Sequence, residues 1–357
     1  MAVPGSGAID LKDLQDEFGG SNPISISEYY RNGGLVPSNN TDVPTSGTVK
    51  LSDFYGAVNE IGVTASAASS ANLQTLFNNA TANSWTSAVP KRYTINGGTN
   101  MGILTVPASM GGTLIVQIAS GATVRGVGGS AGSGGSAGGA GSAGSAGSAG
   151  GAGATAMSVA STGVTVNVVG SLQGGGGGAG GGGGGGGGGQ GRTSANTGNY
   201  YCGPTNCGNN CAGGFCQNRT GNPCCNESND GYCFTRFKDC WQYTYYTGGA
   251  GGAGGAGGKG QGYVSGNANG ASGSGGSSAS NAGTGGTGGA GGNGAAYGAA
   301  GPTGAAGSAG ANSVATNGGG GGAAGAAGAA GRAITFVGIS AYTIIGTSSG
   351  TISGAYT

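Results

Sequence analysis

The chain has 357 residues, of which 94 are glycine and 6 % are charged; its net charge is +1 and it has no histidine. So little charge leaves no electrostatic footprint for nucleic acid or an anionic membrane surface, and the missing histidine removes the commonest general base and metal ligand together. Eight of the eleven acids lie at positions 10–60 and none between 61 and 226, so paired-carboxylate chemistry has no place in most of the chain; no catalytic residue, metal or cofactor is assigned, and the chain is read as not an enzyme.

Residues 1–57 contain three imperfect copies of one unit. Ile9-Asp10-Leu11-Lys12-Asp13-Leu14, Ile24-Ser25-Ile26-Ser27-Glu28-Tyr29-Tyr30 and Val49-Lys50-Leu51-Ser52-Asp53-Phe54-Tyr55 each run from an alternating apolar opening through an acid to an apolar or aromatic residue. The pattern predicts a short strand and one helical turn, with Ser27 or Ser52 as N-cap. Two readings stand side by side, a dedicated docking module and a set of ordinary loop-rich strands. The opening residues hold neither a basic leader nor an apolar core, so no signal peptide is expected, and no run approaches membrane-spanning length.

Residues 58–125 predict a small β-domain. Leu73–Phe77 reads as a short helix, and residues 93–95, 103–106 and 113–118 read as strands. Trp85 is expected to anchor a core.

From 126 to 331 glycine recurs at every third position over long stretches, at 129 to 153, 298 to 310 and 322 to 331. Three residues per turn is the repeat of the polyproline II helix, which makes no internal hydrogen bonds; its amides must be paired by neighbours, and glycine lets those neighbours approach. The long tracts hold one proline, Pro302, too few for collagen. A disordered linker is the other reading, because glycine loses the most entropy on ordering. The fold class expected is mostly irregular/β: a polyglycine II helix bundle capped by short β-strands, with a small N-terminal repeat module and a disulfide-rich insert. Strands at 164–169, before Gly174, and at 332–337, after Gly331, are expected to cap the bundle, and 332–357 to form a C-terminal β cap. The polyglycine run at 174–191 lacks the Gly-Lys-Ser/Thr ending of a phosphate loop.

A cysteine- and aromatic-rich insert, 200–246, interrupts the glycine tracts. It holds all eight cysteines: Cys202, Cys207, Cys211, Cys216, Cys224, Cys225, Cys233 and Cys240. Four disulfides are the expected pairing, in any of 105 connectivities; the rival is metal, against which the spacings lack the paired knuckles of zinc sites. Ten of the 23 aromatic residues also fall here. Rigid aromatic surface on a stapled loop suits recognition, and Tyr232, Trp241, Tyr243, Tyr245 and Tyr246 are the candidate receptor-binding residues. In the alternative, Phe215, Phe234 and Phe237 cover the disulfides while Tyr243 and Tyr245 pack on the glycine lattice.

The segments 16–24 (Asp16-Glu17-Phe18-Gly19-Gly20-Ser21-Asn22-Pro23-Ile24), 26–31 (Ile26-Ser27-Glu28-Tyr29-Tyr30-Arg31) and 51–56 (Leu51-Ser52-Asp53-Phe54-Tyr55-Gly56) resemble the amino-terminal segment of tail fibre and minor tail proteins of tailed bacteriophages. The body at 126–331 is similar in composition to phage tail-tip adhesins with polyglycine II domains; the cysteine-rich insert departs from both patterns. The resemblance implies a virion structural protein, located in the tail and extracellular after release by lysis. It would dock to other tail or baseplate proteins through residues 1–57 and attach to a host surface receptor, a glycan or an outer-membrane protein, through its distal glycine-rich region. Trimeric assembly is implied in the same way. An ice-binding function is the alternative, since springtail antifreeze proteins are also disulfide-bearing polyglycine II bundles.

Overall fold

The computed structural model describes residues 3–38, 40–81, 83–196, 200–201, 236–237, 241–339, 343–345 and 350–356. After helix α1 (Leu11–Phe18), the chain lays down its strands in successive coils: β1 (Ile61–Thr64) and β2 (Ala68–Asn72), followed by helix α2 (Leu73–Ala80); β3 (Lys91–Ile95) and β4 (Asn100–Val106); β5 (Leu114–Ile118) and β6 (Thr123–Arg125); then β7 (Met157–Val159), β8 (Val164–Val168) and β9 (Ser171–Gln173). Four strands lie in or beside the insert: β10 (Gly191–Asn196), β11 (Tyr200–Tyr201), β12 (Arg236–Phe237) and β13 (Trp241–Tyr246). A last coil supplies β14 (Ile334–Phe336), β15 (Thr343–Ile345) and β16 (Thr351–Ser353).

One sheet has the order β1-β3-β5-β8-β15; the other joins β2, β4, β6, β7, β9, β14 and β16. Every pairing in both is parallel. Alternating strands with β-branched residues at inward positions produce this, because in-register stacking puts each inward side chain on its counterpart one coil away. Tyr93, Val116, Val166 and Ile344 form one such ladder, and Met101, Val124, Leu172 and Ile352 another. α2 closes the first-coil end of this core with Leu73 and Phe77, and Trp85 lies 6.2 Å from the Phe77 ring. Each fully buried aliphatic side chain is worth about 1.5–3 kcal/mol, and 23 buried residues share this core.

β4 is where the second sheet divides. Met101 pairs with Ala68 of β2 and with Val124 of β6, and Leu104 pairs with Ala71 of β2 and with Met157 of β7. A strand has two edges, so β6 and β7 share the edge opposite β2. What is one strand in the second coil is thus two half-strands in the third, and residues 126–155 are inserted at the break. The fourth coil repeats the split: β9 stacks on β6, β14 stacks on β7, and residues 174–333 lie between them. The glycine tracts are excursions from a broken strand.

Those excursions comprise eight extended runs, near 126–141, 142–155, 174–189, 248–262, 266–279, 282–296, 299–312 and 318–331, joined laterally by backbone hydrogen bonds at three-residue steps. The run 174–189 is the centre. Each of its N–H groups donates and each of its carbonyls accepts, at 2.7–3.1 Å. Its N–H groups go by thirds to the runs 142–155, 248–262 and 299–312, apart from Gly174, which donates to Ser353. Its carbonyls accept by thirds from 126–141, 282–296 and 318–331, apart from Gly174, which accepts from Gly298. Six neighbours leave no outward direction, and the run is buried throughout. A Cβ on Gly178, Gly181 or Gly184 would collide with the carbonyl of Ser130, Ser133 or Ser136. Ala179 is the one exception, its methyl lying over Gly292 beside Pro302. Each ring run faces the centre once per turn and carries glycine there; the runs 248–262 and 282–296 carry a second glycine per turn where they pack on a further run, a Cβ on Gly252 meeting the Ser274 carbonyl and one on Gly285 the Ala250 carbonyl. On their outer side Ser148 and Ser145 accept the N–H of Ser133 and Ser136 at 2.6 Å each.

The expected fold class is corrected by this architecture. The fold is a parallel-strand sheet system with two α-helices among the described residues, α/β-like in character and partly curled into a half-barrel, not a polyglycine II bundle with disulfides and strand caps. The physical reason is that glycine has no side chain to bury. The hydrophobic core is the work of the strands, which organise the chain from residue 61 to 353, and the glycine runs are carried on them. α2, β3, β4, β5, β8 and β14 fall where the apolar patterning places them.

The N-terminal residues have their own core. Leu14, Tyr29 and Phe54, at matching positions of the three repeats, are fully buried, and the rings of Phe18, Tyr29 and Phe54 lie 6.3–6.5 Å apart. Each repeat makes a helical turn whose acid reaches back to the N–H three residues earlier: Asp13 to Asp10 at 2.8 Å, Glu28 to Ser25 at 3.3 Å and Asp53 to Lys50 at 2.8 Å. Ser27 and Ser52 are therefore not the caps, and no strand opens the copies.

Lys91 is a buried cation without a carboxylate. Its ammonium donates to the carbonyls of Ser87, Val89 and Gly111 at 2.8–2.9 Å, and burial pushes its pKa down to about 8. Because the folded pKa lies below the unfolded value of 10.5, this group's contribution to stability is greatest above pH 10.5 and falls as pH drops to about 8. Burial of Tyr93 pushes its pKa up to about 12, which opposes that trend above pH 10. The difference between wild type and Lys91→Met in chemical denaturation should therefore change with pH between about 8 and 10.5 and be flat below 8, Tyr93 cancelling in the comparison.

The centre of the glycine array predicts a second outcome. Gly181→Ala should break at least two backbone bonds at ~1–3 kcal/mol each, lowering the melting temperature by about 5 °C or more. Ala149→Val, at an exposed ring position, should leave it nearly unchanged.

Candidate functional site

The array has two unlike ends. At one it meets the sheets, where the turns at 262–265 and 296–299 fold back. Arg125, at the end of β6, lies 5.1 Å over the Tyr297 ring and donates from Nε to Gln173 Oε1 at 3.0 Å. Tyr297 OH donates to the Gly262 carbonyl at 3.1 Å. These contacts pin the turns to β6 and β9.

At the other end lie the turn at 139–142, with Gly141 at φ +68°, the turn at Asn281, the turn at 313–316 and the root of the insert. Fifteen residue steps from 126 to 141, at about 3.1 Å each for a three-residue-period extended backbone, put this end ~45 Å from the sheets. The root is an antiparallel ribbon of β10 and β13, in register from Gly191 with Tyr246 to Asn196 with Trp241. It is tied to the array: Gln190 N donates to Thr316 Oγ1 at 2.7 Å, and Ala315 N donates to the Gln190 carbonyl at 3.2 Å.

Of the candidate receptor-binding residues, Tyr245 is 61 % exposed and sits opposite Arg192 in the ribbon. Tyr246 is half-buried, its hydroxyl 3.4 Å from Thr193 Oγ1 as acceptor. Trp241 and Tyr243 have their backbone in β13, and the readings of their side chains lie outside the described residues, as does Tyr232. So do Cys202, Cys207, Cys211, Cys216, Cys224, Cys225, Cys233 and Cys240. Arg125 and Tyr297 were not singled out by sequence; an arginine at a strand's end and a lone tyrosine within a glycine tract are the signals that could have found them.

Among the described residues no group of three or more His, Cys, Asp or Glu is placed to hold a metal ion, and no helix is long and apolar enough to cross a membrane. The described side chains of the ribbon present exposed Arg192, Thr193, Ser194, Thr244 and Tyr245, a polar surface with one exposed aromatic ring. No protein-family model matches this chain, and no curated protein or solved structure matches it.

If the cysteines between 202 and 240 form four disulfides, mass measurement of alkylated, unreduced protein should find no modified thiol, and a chelator should leave the melting temperature unchanged. Four or more reactive thiols would refute the pairing.

Proposed function

We propose that the protein is a structural component of a tailed-phage virion, a tail fibre or tail-tip adhesin that attaches through its N-terminal repeats to other tail or baseplate proteins and contacts a host surface receptor, a glycan or an outer-membrane protein, through its distal region. The observation that carries this reading is the placement of a ribbon with an exposed tyrosine, Tyr245, at the far end of an arm whose central run is fully hydrogen-bonded. A neutral arm of that kind holds a recognition surface away from its anchor at little entropic cost on binding. The separate N-terminal core, with its phage-like repeats, supplies an independent anchor.

Ice binding is the second reading, favoured by exposed methyls at three-residue spacing on adjacent runs: Ala143, Ala146, Ala149 and Ala152 beside Ala323, Ala326 and Ala329.

Antibody raised to the purified chain should label tail tips in electron micrographs of particles from a lysate containing the protein, and a chain lacking residues 1–57 should not assemble into them. Antibody label confined to soluble material, with thermal hysteresis of the purified protein, would replace the first reading by the second.

A further inference from the structure

Four of the eight runs continue a core strand: 126–141 leaves β6, 142–155 enters β7, 174–189 leaves β9 and 318–331 enters β14. Their heights are fixed by the sheets. The runs 248–262, 266–279, 282–296 and 299–312 continue no core strand and are joined to one another by turns. Their backbone pairing repeats every three residues, so a slide of three residues re-forms the same pattern of bonds, and glycine-rich chains specify register weakly for this reason. Something other than the main chain must choose the level.

One level of the array is unlike the rest. Ala179 is the single residue of the central run with a side chain, and it is fully buried; Pro302 is the single proline of the eight runs. A Cβ on Gly176, Gly182 or Gly185 would strike the carbonyl of Ala295, Gly289 or Gly286, and the same step sets Ala179 against Gly292. There the run 282–296 is displaced. Gly289 faces the Ala305 carbonyl, but Gly292 faces that of Thr303 instead of Pro302, with Pro302 Cγ and Ala179 Cβ 2.9 and 3.2 Å from where its own Cβ would stand. The bonds from Gly180 N to Pro302 O and from Gly292 N to Gly180 O are 3.1 Å, against 2.7–2.9 Å for their equivalents nearer the tip. Ala305, Ser308 and Ala311 donate to the carbonyls of Ala290, Thr287 and Thr284. One step on, residue 302 would donate to Asn293 on the displaced segment, and a proline has no N–H to lose.

We infer that Ala179 and Pro302 are a matched pair that sets the register of the runs 282–296 and 299–312 against the sheet-anchored centre. The methyl displaces a run at one level, where a lateral bond is lost; the proline marks a level that has no such bond. A slip of one turn toward the sheets would bring Ala305, which has an N–H, opposite the displaced segment. It would also draw the turn at 313–316 back by ~9 Å, three residues at about 3.1 Å each, away from Gln190 at the root of the insert. Ala179 and Pro302 are thus positioning residues for the tip. The inference does not depend on the adhesin reading, since it concerns where the tip is held and not what it binds.

Amide exchange of the full chain tests it. In Ala179→Gly the amides of Gly304, Gly307 and Gly310, which bond the anchored run 318–331, should lose protection, and that of Gln190 with them. Those of Gly147, Gly150 and Gly153, which join two anchored runs, should keep theirs. Ala309→Gly, the same change at an exposed position, should leave both sets as in the wild type. Pro302→Ala should lower the melting temperature by at least about 2 °C more when Ala179 is present than in the Ala179→Gly background, because only the displaced segment denies the new N–H its acceptor. The loss of proline stiffness in the unfolded chain is common to both backgrounds. Unchanged protection of Gly304, Gly307 and Gly310 in Ala179→Gly, an equal loss in both sets of amides, or additive effects of the two substitutions would each overturn the inference.

Discussion

The constraint on which the structure depends is that buried backbone amides must find partners where no side chain separates them. In the run 174–189 each residue is both donor and acceptor, to six surrounding runs. Parallel strands pair on two edges only. Three-residue-period extended chains pair in three donor and three acceptor directions, and that geometry brings carbonyl oxygens into the space a Cβ would fill. Nearly pure glycine at the centre, and one or two glycines per turn in the ring according to how many runs each packs against, are consequences of one packing rule. The outer serines follow from it as well: where a ring N–H has no backbone carbonyl to meet, a neighbouring hydroxyl takes its place.

Hydrogen bonds alone contribute modest net stability, about 0.5–1.5 kcal/mol each, while ordering a glycine costs more backbone entropy than ordering any other residue. The array thus needs a rigid foundation that fixes the relative height of its runs before they pair. The divided strand provides it. β6 and β9 are in register, so the runs that continue from them begin in register: Gly126 N donates to the Gln173 carbonyl and Gly129 N to the Gly176 carbonyl, with the same three-residue offset continuing to Gly141. Apolar ladders in the sheets set the phase that the glycines then propagate, and the contact of Arg125 with Tyr297 holds the returning turns to the same foundation.

Local patterns were legible where the physics is local. Alternation marked β3, β5 and β8, the Leu73–Phe77 spacing marked α2, and the glycine period located the arm. What could not be read was partnership. β9 and β16 pair across some 180 residues, and nothing in Ser171-Leu172-Gln173 names Thr351-Ile352-Ser353 as its neighbour, since parallel pairing between distant strands leaves no local mark. The strands therefore read as caps on a glycine domain when they are the body that carries it. The run 174–189 held a clue in its composition: a stretch glycine at every position but Ala179, instead of at every third, must be surrounded on all sides. In the N-terminal repeats the acid was visible but its direction was not, because Asp13, Glu28 and Asp53 cap by reaching back to the N–H of the preceding turn.

The arm is suited to recognition by what it lacks. A helix bundle of similar reach needs charged outer faces and a hydrophobic seam. This arm needs neither, since its cohesion is carried by main-chain hydrogen bonds and its outer residues are mostly Ala, Ser, Thr, Asn and Gly, with Lys259 a single charge. With so little charge, long-range electrostatics neither attracts nor repels a charged cell surface, so specificity must reside in short-range contacts. On the proposed adhesin reading those contacts fall to the far end, where the ribbon joins the array, and replacing the insert there need not disturb the lattice behind it, because the backbone bonds of the central run are already complete up to Gly189. A scaffold whose cohesion does not involve its tip leaves the tip free to vary, which is what the proposed adhesin role requires.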